Sequence, residues 1–291
     1  MGGGHWTSSA VRDYTSTTRG MSLDDYTTRT FSTQEFFKSR DLAEELDPYK
    51  VVRECRDSKE HPNTLPVILA LDVTGSMGDA AIKTAQALNE IMTTFLSSKF
   101  KDVEFCTMGI GDLAYDRVPI QMSQFESDIR IAEQLDKIYF EGGGGGNSYE
   151  SYTAAWYMGL YHCKLDCWKR NKKGIIITMG DELPNPYLPS KRLSKVVGDN
   201  IQKGATDTDN LYKLVTKKFD VYHISIDDED TCYELYNRDY DLDSEWSHLL
   251  GKDNYFVSSL NKLPAIITTI ILKNKDVVQE TVKEEEEEIE W

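Results

Sequence analysis

Leu65-Pro66-Val67-Ile68-Leu69-Ala70-Leu71-Asp72-Val73-Thr74-Gly75-Ser76-Met77 is the stretch whose reading decides the fold. Its first seven residues form a continuous apolar run, the pattern of a strand buried on both faces. The run stops at an acid and two hydroxyls, and helical spacing follows at once. Ile82, Leu88, Ile91, Met92 and Phe95 recur at intervals that share one helix face, which predicts a helix over 79–97.

Working outward, the same patterns predict strands at 103–110, 174–179 and 219–226, with short strands at 138–140 and 254–257. Helices are predicted at 125–137, at 150–168 and from Leu260 onward. Strands alternating with helices imply a Rossmann-like, doubly wound α/β fold: a mainly parallel sheet with helices on both faces. There is no internal repeat. Residues 1–62 form a lead-in, with thirteen Ser or Thr in 1–36 and Trp6, Tyr14, Tyr26 and Phe31 as the available anchors. Its charged, helix-compatible part, 41–61, ends at the breaker His61-Pro62-Asn63. The globular domain is expected over 63–275, and an acidic tail over 276–291.

Composition narrows the function. The 291 residues carry a net charge of −16, concentrated in 280–291 and 227–245, so the body is near neutral between two acidic appendages. That balance excludes a nucleic-acid surface as the main partner. No run of 18 apolar residues exists, and the longest candidate, 265–272, is interrupted by Thr268 and Thr269. No membrane partner and no secretory signal are expected. Five cysteines, an odd number scattered through core-forming segments, fit reduced thiols and a cytoplasmic setting.

The chemistry gathers where the first strand ends. Asp72, Thr74 and Ser76 stand at alternate positions of a strand-to-helix turn, so they can converge on one point in the crevice beyond the strand ends. One carboxylate and two hydroxyls are a hard, all-oxygen set, suited to Mg²⁺, or to Mn²⁺, rather than zinc or copper. A second acid, Asp181, follows the 174–179 strand, again at a carboxyl end. A third loop, Gly142 to Gly146 followed by Asn147-Ser148-Tyr149-Glu150, lets the backbone pass close to the crevice.

These residues resemble the Asp-x-Ser/Thr-x-Ser signature of von Willebrand factor type A domains, which carry a metal-ion-dependent adhesion site. The resemblance covers about residues 64–275. It implies Asp72, Thr74 and Ser76 as metal ligands and Asp181 as the later acid. The family draws a further ligand, a Thr, from a Gly-rich loop; no Thr directly follows the glycines here, and Glu150 is the first choice for that place, Asn147 the second. Arg53 to Ser58, Gln124 to Asp128 and Glu141 to Tyr152 further resemble a bacterial and phage subgroup with no named reaction. What the resemblance implies is a non-enzymatic interaction module binding an Asp or Glu of a protein partner through the metal; cytoplasmic members often work beside ATPases.

Two other readings fit the first motif. It also resembles the Asp-Lys-Thr-Gly-Thr motif of haloacid-dehalogenase-type phosphatases and phosphotransferases, with Asp72 as nucleophile, Thr178 as second motif and Gly180-Asp181 as metal acids. Against it, Thr74 stands where many members place an acid, and Asn185-Pro186 where a second metal acid belongs. The third reading is a metal-free scaffold in which Thr74 and Ser76 only cap a helix. The glycine run lacks a P-loop ending. His162, Cys163 and Cys167 read as packing rather than a zinc site, His223 and Cys232 as structural, and Asp227-Asp228-Glu229-Asp230 as a solvated loop.

Overall fold

The computed structural model describes residues 8–273 except 23, 24, 26–28, 30, 97–101, 144–146, 203 and 205, and the apolar run from Leu65 is one of its two central strands. In chain order the strands are β1 (Arg53–Cys55), β2 (Leu65–Asp72), β3 (Val103–Ile110), β4 (Ile120–Met122), β5 (Tyr149–Glu150), β6 (Cys163–Leu165), β7 (Gly174–Gly180), β8 (Leu183–Pro184), β9 (Phe219–Ile226) and β10 (Tyr255–Ser258). The α-helices are α1 (Ser8–Tyr14), α2 (Thr33–Phe36), α3 (Ala80–Leu96), α4 (Arg130–Leu135), α5 (Thr153–Tyr161), α6 (Ser190–Val197), α7 (Thr208–Val215), α8 (Tyr233–Tyr240), α9 (Leu242–Leu250) and α10 (Leu263–Leu272).

The main sheet has six strands in the order β10-β9-β7-β2-β3-β4, and every pairing is parallel except β3 with β4. All residues of β2 and β7 are buried, which is why both read as unbroken apolar runs. Val67, Leu69 and Leu71 pack on one face with α3, α4 and α10; Ile68 and Ala70 pack on the other with α5, α6, α7 and α9. The fold is therefore a doubly wound α/β sandwich. From β2 the chain adds β3 and β4 on one side, then crosses to add β7, β9 and β10 on the other. The reversal falls between β2 and β7, where such sheets open a crevice beyond their carboxyl ends.

Several elements differ from the sequence expectation. Residues 41–61 hold one 3-10 turn, Glu44–Leu46, and β1, which pairs in parallel with β6. Pro48 keeps Asp47 extended and stops the turn from growing into a helix. The 125–137 helix shrinks to α4, because Phe105 and Glu126 exchange two N–H···O bonds of 2.9 Å and hold the chain there extended. Residues 138–140 form no strand. Gln121 of β4 takes up their backbone, accepting from Tyr139 N and donating to Tyr139 O, each at 2.7 Å. The 150–168 helix breaks into β5, α5, β6 and a 3-10 turn, Asp166–Arg170. Helices α6 to α9 fill stretches the periodicity left unassigned.

The lead-in packs on the α3 and α10 face, with Phe31, Phe36 and Phe37 buried and Tyr14 against the same cluster. Arg19 forms an ion pair with Asp136 of the turn after α4, and Tyr14 Oη donates to Asp136 Oδ2 at 2.5 Å. Trp6, Tyr26 and the acidic tail lie outside the described residues. Among those described, no helix is long and apolar enough to cross a membrane.

Candidate metal centre

Asp72 is the last residue of β2 and is wholly buried. Beyond it the chain leaves the sheet through an extended Thr74 and a 3-10 turn, Gly75–Met77, before α3 begins. This turn is held by a glycine contact. Gly75 N donates to Gly143 O at 2.7 Å, and a Cβ on Gly75 would lie 2.9 Å from that same oxygen. The Gly-rich loop thus passes against the motif, as its composition foretold. Gly180 at the end of β7 has a parallel role, since a Cβ there would overlap Tyr152 Oη.

A continuous chain of polar contacts joins the two strand ends. Thr74 donates to Asp72 Oδ1 through its N–H at 2.9 Å and its hydroxyl at 2.6 Å. Thr74 Oγ1 and Ser76 Oγ lie 3.1 Å apart, and Ser76 Oγ donates to Asp181 Oδ1 at 3.0 Å. Asp181 Oδ2 accepts from Cys232 N at 2.7 Å. Tyr152 Oη donates to Asp72 Oδ2 at 2.7 Å and itself accepts from Glu182 N at 3.2 Å. Asp72, Thr74, Ser76 and Asp181 are therefore brought together as the sequence spacing anticipates.

The other two candidates lie differently. Glu150 sits in β5 rather than in a helix and is 3% exposed; its Oε2 has no hydrogen-bond donor among the described residues. Asn147 Nδ2 donates to Asp112 Oδ2 at 2.9 Å, just past the β3 end. Thr153, the first residue of α5, is engaged by Asn185, whose Nδ2 donates to its hydroxyl at 2.7 Å. Sequence reasoning missed Tyr152, Asp112, Asp116 and Glu182. Asp112 follows the end of β3 and Glu182 follows Asp181, so the strand-end rule could have found both; nothing in the local pattern marks Tyr152.

The electrostatics of this crevice are those of acids buried together. Burial pushes the Asp72 carboxyl up to about 7, Asp181 adds to the rise, and the Thr74 and Tyr152 donors oppose it. Asp181 is raised by burial against the pull of Cys232 N–H and Ser76. Glu182 is pushed to about 8 by burial and then by Asp72 and Asp181. Glu150 is raised well above the carboxylate range by burial, then by Asp72, Glu182, Asp112 and Asp116. Asp116 rises to about 6 for the same first reason.

The donor set suits a hard cation. Among the described residues no three His, Cys, Asp or Glu side chains converge on a metal-sized point, so a cation here would rely on hydroxyls and water beside two carboxylates. Mg²⁺ is commonly held in that way. A dication among these oxygens would also reverse the unfavourable ionisation that burial imposes.

The remaining polar candidates have structural partners. His162 lies just past α5, with Nε2 2.9 Å from Asp199 Oδ2 and Nδ1 2.8 Å from Val51 O, while Cys163 lies in β6. His223 is wholly buried, stacked 3.6 Å from the Trp246 ring centre, with Thr178 Oγ1 at 2.8 Å from its Nδ1. Asp228 and Asp230 pair with Lys83 of α3 at the crevice rim.

No protein-family model matches the chain, and no curated protein matches it. Among solved structures it is similar to the pilus adhesin SpaC of Lactobacillus rhamnosus GG in its open conformation, at 15% identity over 75% of this chain, with a TM-score of 0.49. The chain spans 30% of that adhesin's length. It is also similar to the vWF domain of the type V pili tip protein Mfa5 of Porphyromonas gingivalis, at 13% identity over 72% of this chain and 96% of that one, with a TM-score of 0.48. Proximal thread matrix protein 1 of the mussel byssus is similar at 12% identity over 77% of this chain and 47% of that one, with a TM-score of 0.46.

Proposed function

We propose that this chain is a metal-dependent protein-interaction module of the von Willebrand factor type A kind, in which Asp72, Thr74, Ser76 and Asp181 hold Mg²⁺ or Mn²⁺. The observation that carries the reading is the unbroken contact chain from Asp72 through both hydroxyls to Asp181, at the point where the strand order reverses. Helix caps alone account for one hydroxyl at such a turn, not for two hydroxyls bridging two buried acids from neighbouring strands. When bound, the cation supplies an electrophilic position for an external oxygen ligand. The protein's part is to orient the first-strand carboxylate with Thr74 and Tyr152, and to hold Asp181 with Ser76 and Cys232.

The partner is proposed to be a protein offering an Asp or Glu, in a cytoplasmic setting. The family resemblance extends this to an ATPase system. Phosphoryl transfer through Asp72 is the weaker reading. Both Asp72 oxygens already accept hydrogen bonds, and the Thr178 hydroxyl donates to Tyr222 O at 3.3 Å and lies 2.8 Å from His223 Nδ1.

The test is a calorimetric titration of Mg²⁺ and Mn²⁺ into chelator-treated protein beside Asp72→Ala. Saturable binding that the variant loses, with its circular dichroism unchanged, is the expected outcome. Equal binding by wild type and variant overturns the assignment. Mg²⁺-dependent hydrolysis of a generic phosphate ester, lost in the same variant, would move the reading to the phosphatase.

A further inference from the structure

Two carboxylates in the crevice have work left undone. Glu150 and Glu182 are 3% and 5% exposed, and the Oε2 atom of each is buried without a hydrogen-bond partner among the described residues. The acids of the site proposed above are provided for: Asp72 accepts from Thr74 and Tyr152, and Asp181 from Ser76 and Cys232. Asp112 and Asp116 are likewise provided for, by Ala114 N, Asn147 Nδ2 and Asp112 N. Among the crevice carboxylates described, the buried oxygens without a partner are those of the two glutamates.

The backbone brings these two glutamates together. β5 and β8 pair in parallel, with Tyr149 opposite Leu183 and Glu150 opposite Pro184, and Leu183 N donates to Ser148 O at 3.2 Å. Glu182 directly precedes β8 and Glu150 ends β5, so the pairing brings their backbones side by side. The Asp72 charge raises the carboxyls of both. The charges that act most on Glu150 are all acidic: Asp72, Glu182, Asp112 and Asp116. Glu182 Oε1 is met by Tyr236 Oη at 3.2 Å, a neutral donor.

We infer that the crevice takes a second hard divalent cation, held by the Glu150 and Glu182 carboxylates beside the position at Asp72 and Asp181. The inference rests on the proposed reading of that first position. Two carboxylates with water in the remaining places are a sufficient set for such an ion, which commonly keeps part of its hydration shell. Buried carboxylates without donors call for a counter-charge or a proton, and a cation serves both glutamates at once. The β5–β8 pair would then be pinned against the β2–β7 strand ends by metal.

The experiment counts Mn²⁺ bound to the full chain by native mass spectrometry and by calorimetry, in wild type, in Asp72→Asn and in the double variant Glu150→Gln with Glu182→Gln. Two saturable ions in wild type, falling to one in each variant, is the expected result. Two ions in wild type that both survive in the double variant place the second ion elsewhere on this acidic chain and overturn the inference. One ion, lost in Asp72→Asn and kept in the double variant, overturns it while leaving the first site standing. One ion lost in both variants means a single shared site, which also overturns it. No ion in any protein removes the first site and the inference together. If the double variant does not fold, the single variants Glu150→Gln and Glu182→Gln are counted instead, and two ions in both overturn the inference.

Discussion

Tyr152 carries its phenol into the core to reach one oxygen of one carboxylate, and Gly180 is the residue that leaves room for it. The phenol lies against His223 and Trp246, so removing the hydroxyl alone leaves the packing intact. Tyr152→Phe should therefore cost about 1–3 kcal/mol in chelator, because Asp72 Oδ2 and Glu182 N both lose their hydroxyl partner. Urea unfolding with and without Mg²⁺ checks it, and no change in chelator would refute the role. At the opposite end of the sheet, burial pushes the Glu104 carboxyl up to about 7, with the Cys55 thiol opposing. The folded chain then holds that proton more tightly than the unfolded chain, whose value is near 4.5. Its contribution to stability is full below the unfolded value and lost as pH rises toward the folded one. Glu104→Gln should lessen the loss of stability between pH 5 and pH 8 by on the order of 2 kcal/mol. Urea midpoints in chelator at both pH values test this, and parallel profiles for wild type and variant would reject it.

Among the elements, β2 and β7 were legible from sequence because a strand buried on both faces needs apolar residues nearly throughout, and β3 and β9 show apolar residues at alternate positions, Val103 and Phe105, Phe219 and Val221. Short elements were not. Ile120–Met122 carries too few residues to show a period, and it became the antiparallel edge only because β3 offered it a free ladder. Where a strand was expected at 138–140, a side chain does the ladder's work: Gln121 satisfies both backbone groups of Tyr139. Gln121→Ala should strand that half-buried pair and lower stability by about 1–2 kcal/mol. Gln121→Glu should restore the acceptor toward Tyr139 N but not the donor, giving an intermediate loss. Chemical denaturation of both variants gives the comparison, and equal losses would show that only volume matters.

For the whole molecule, the lead-in is anchored by charge as well as by apolar rings. Arg19 is buried beside Asp136, donates to Phe36 O at 3.0 Å, and has its guanidinium over the Phe36 ring. Removing one partner of a buried ion pair leaves the other uncompensated. Asp136→Ala should cost about 3 kcal/mol and make Lys38 and Arg12 cleave faster in limited trypsin digestion. An unchanged digestion pattern would mean that the phenylalanines hold the segment alone.

The linear sequence by itself determined the fold class, the turn after β2 and its acid partner after β7. Strand-end placement in a parallel sheet follows from the order of apolar runs, and Asp72, Thr74, Ser76 and Asp181 lie at such ends. Only the tertiary structure decided which loop residues turn toward them. Glu150 came to the crevice because β5 pairs with β8, and Asn147 went to Asp112. Tyr152 entered because β7 ends in glycine. These outcomes depend on contacts between residues 28 to 35 positions apart, and helical or strand periodicity reports only on neighbours within a turn or a pleat.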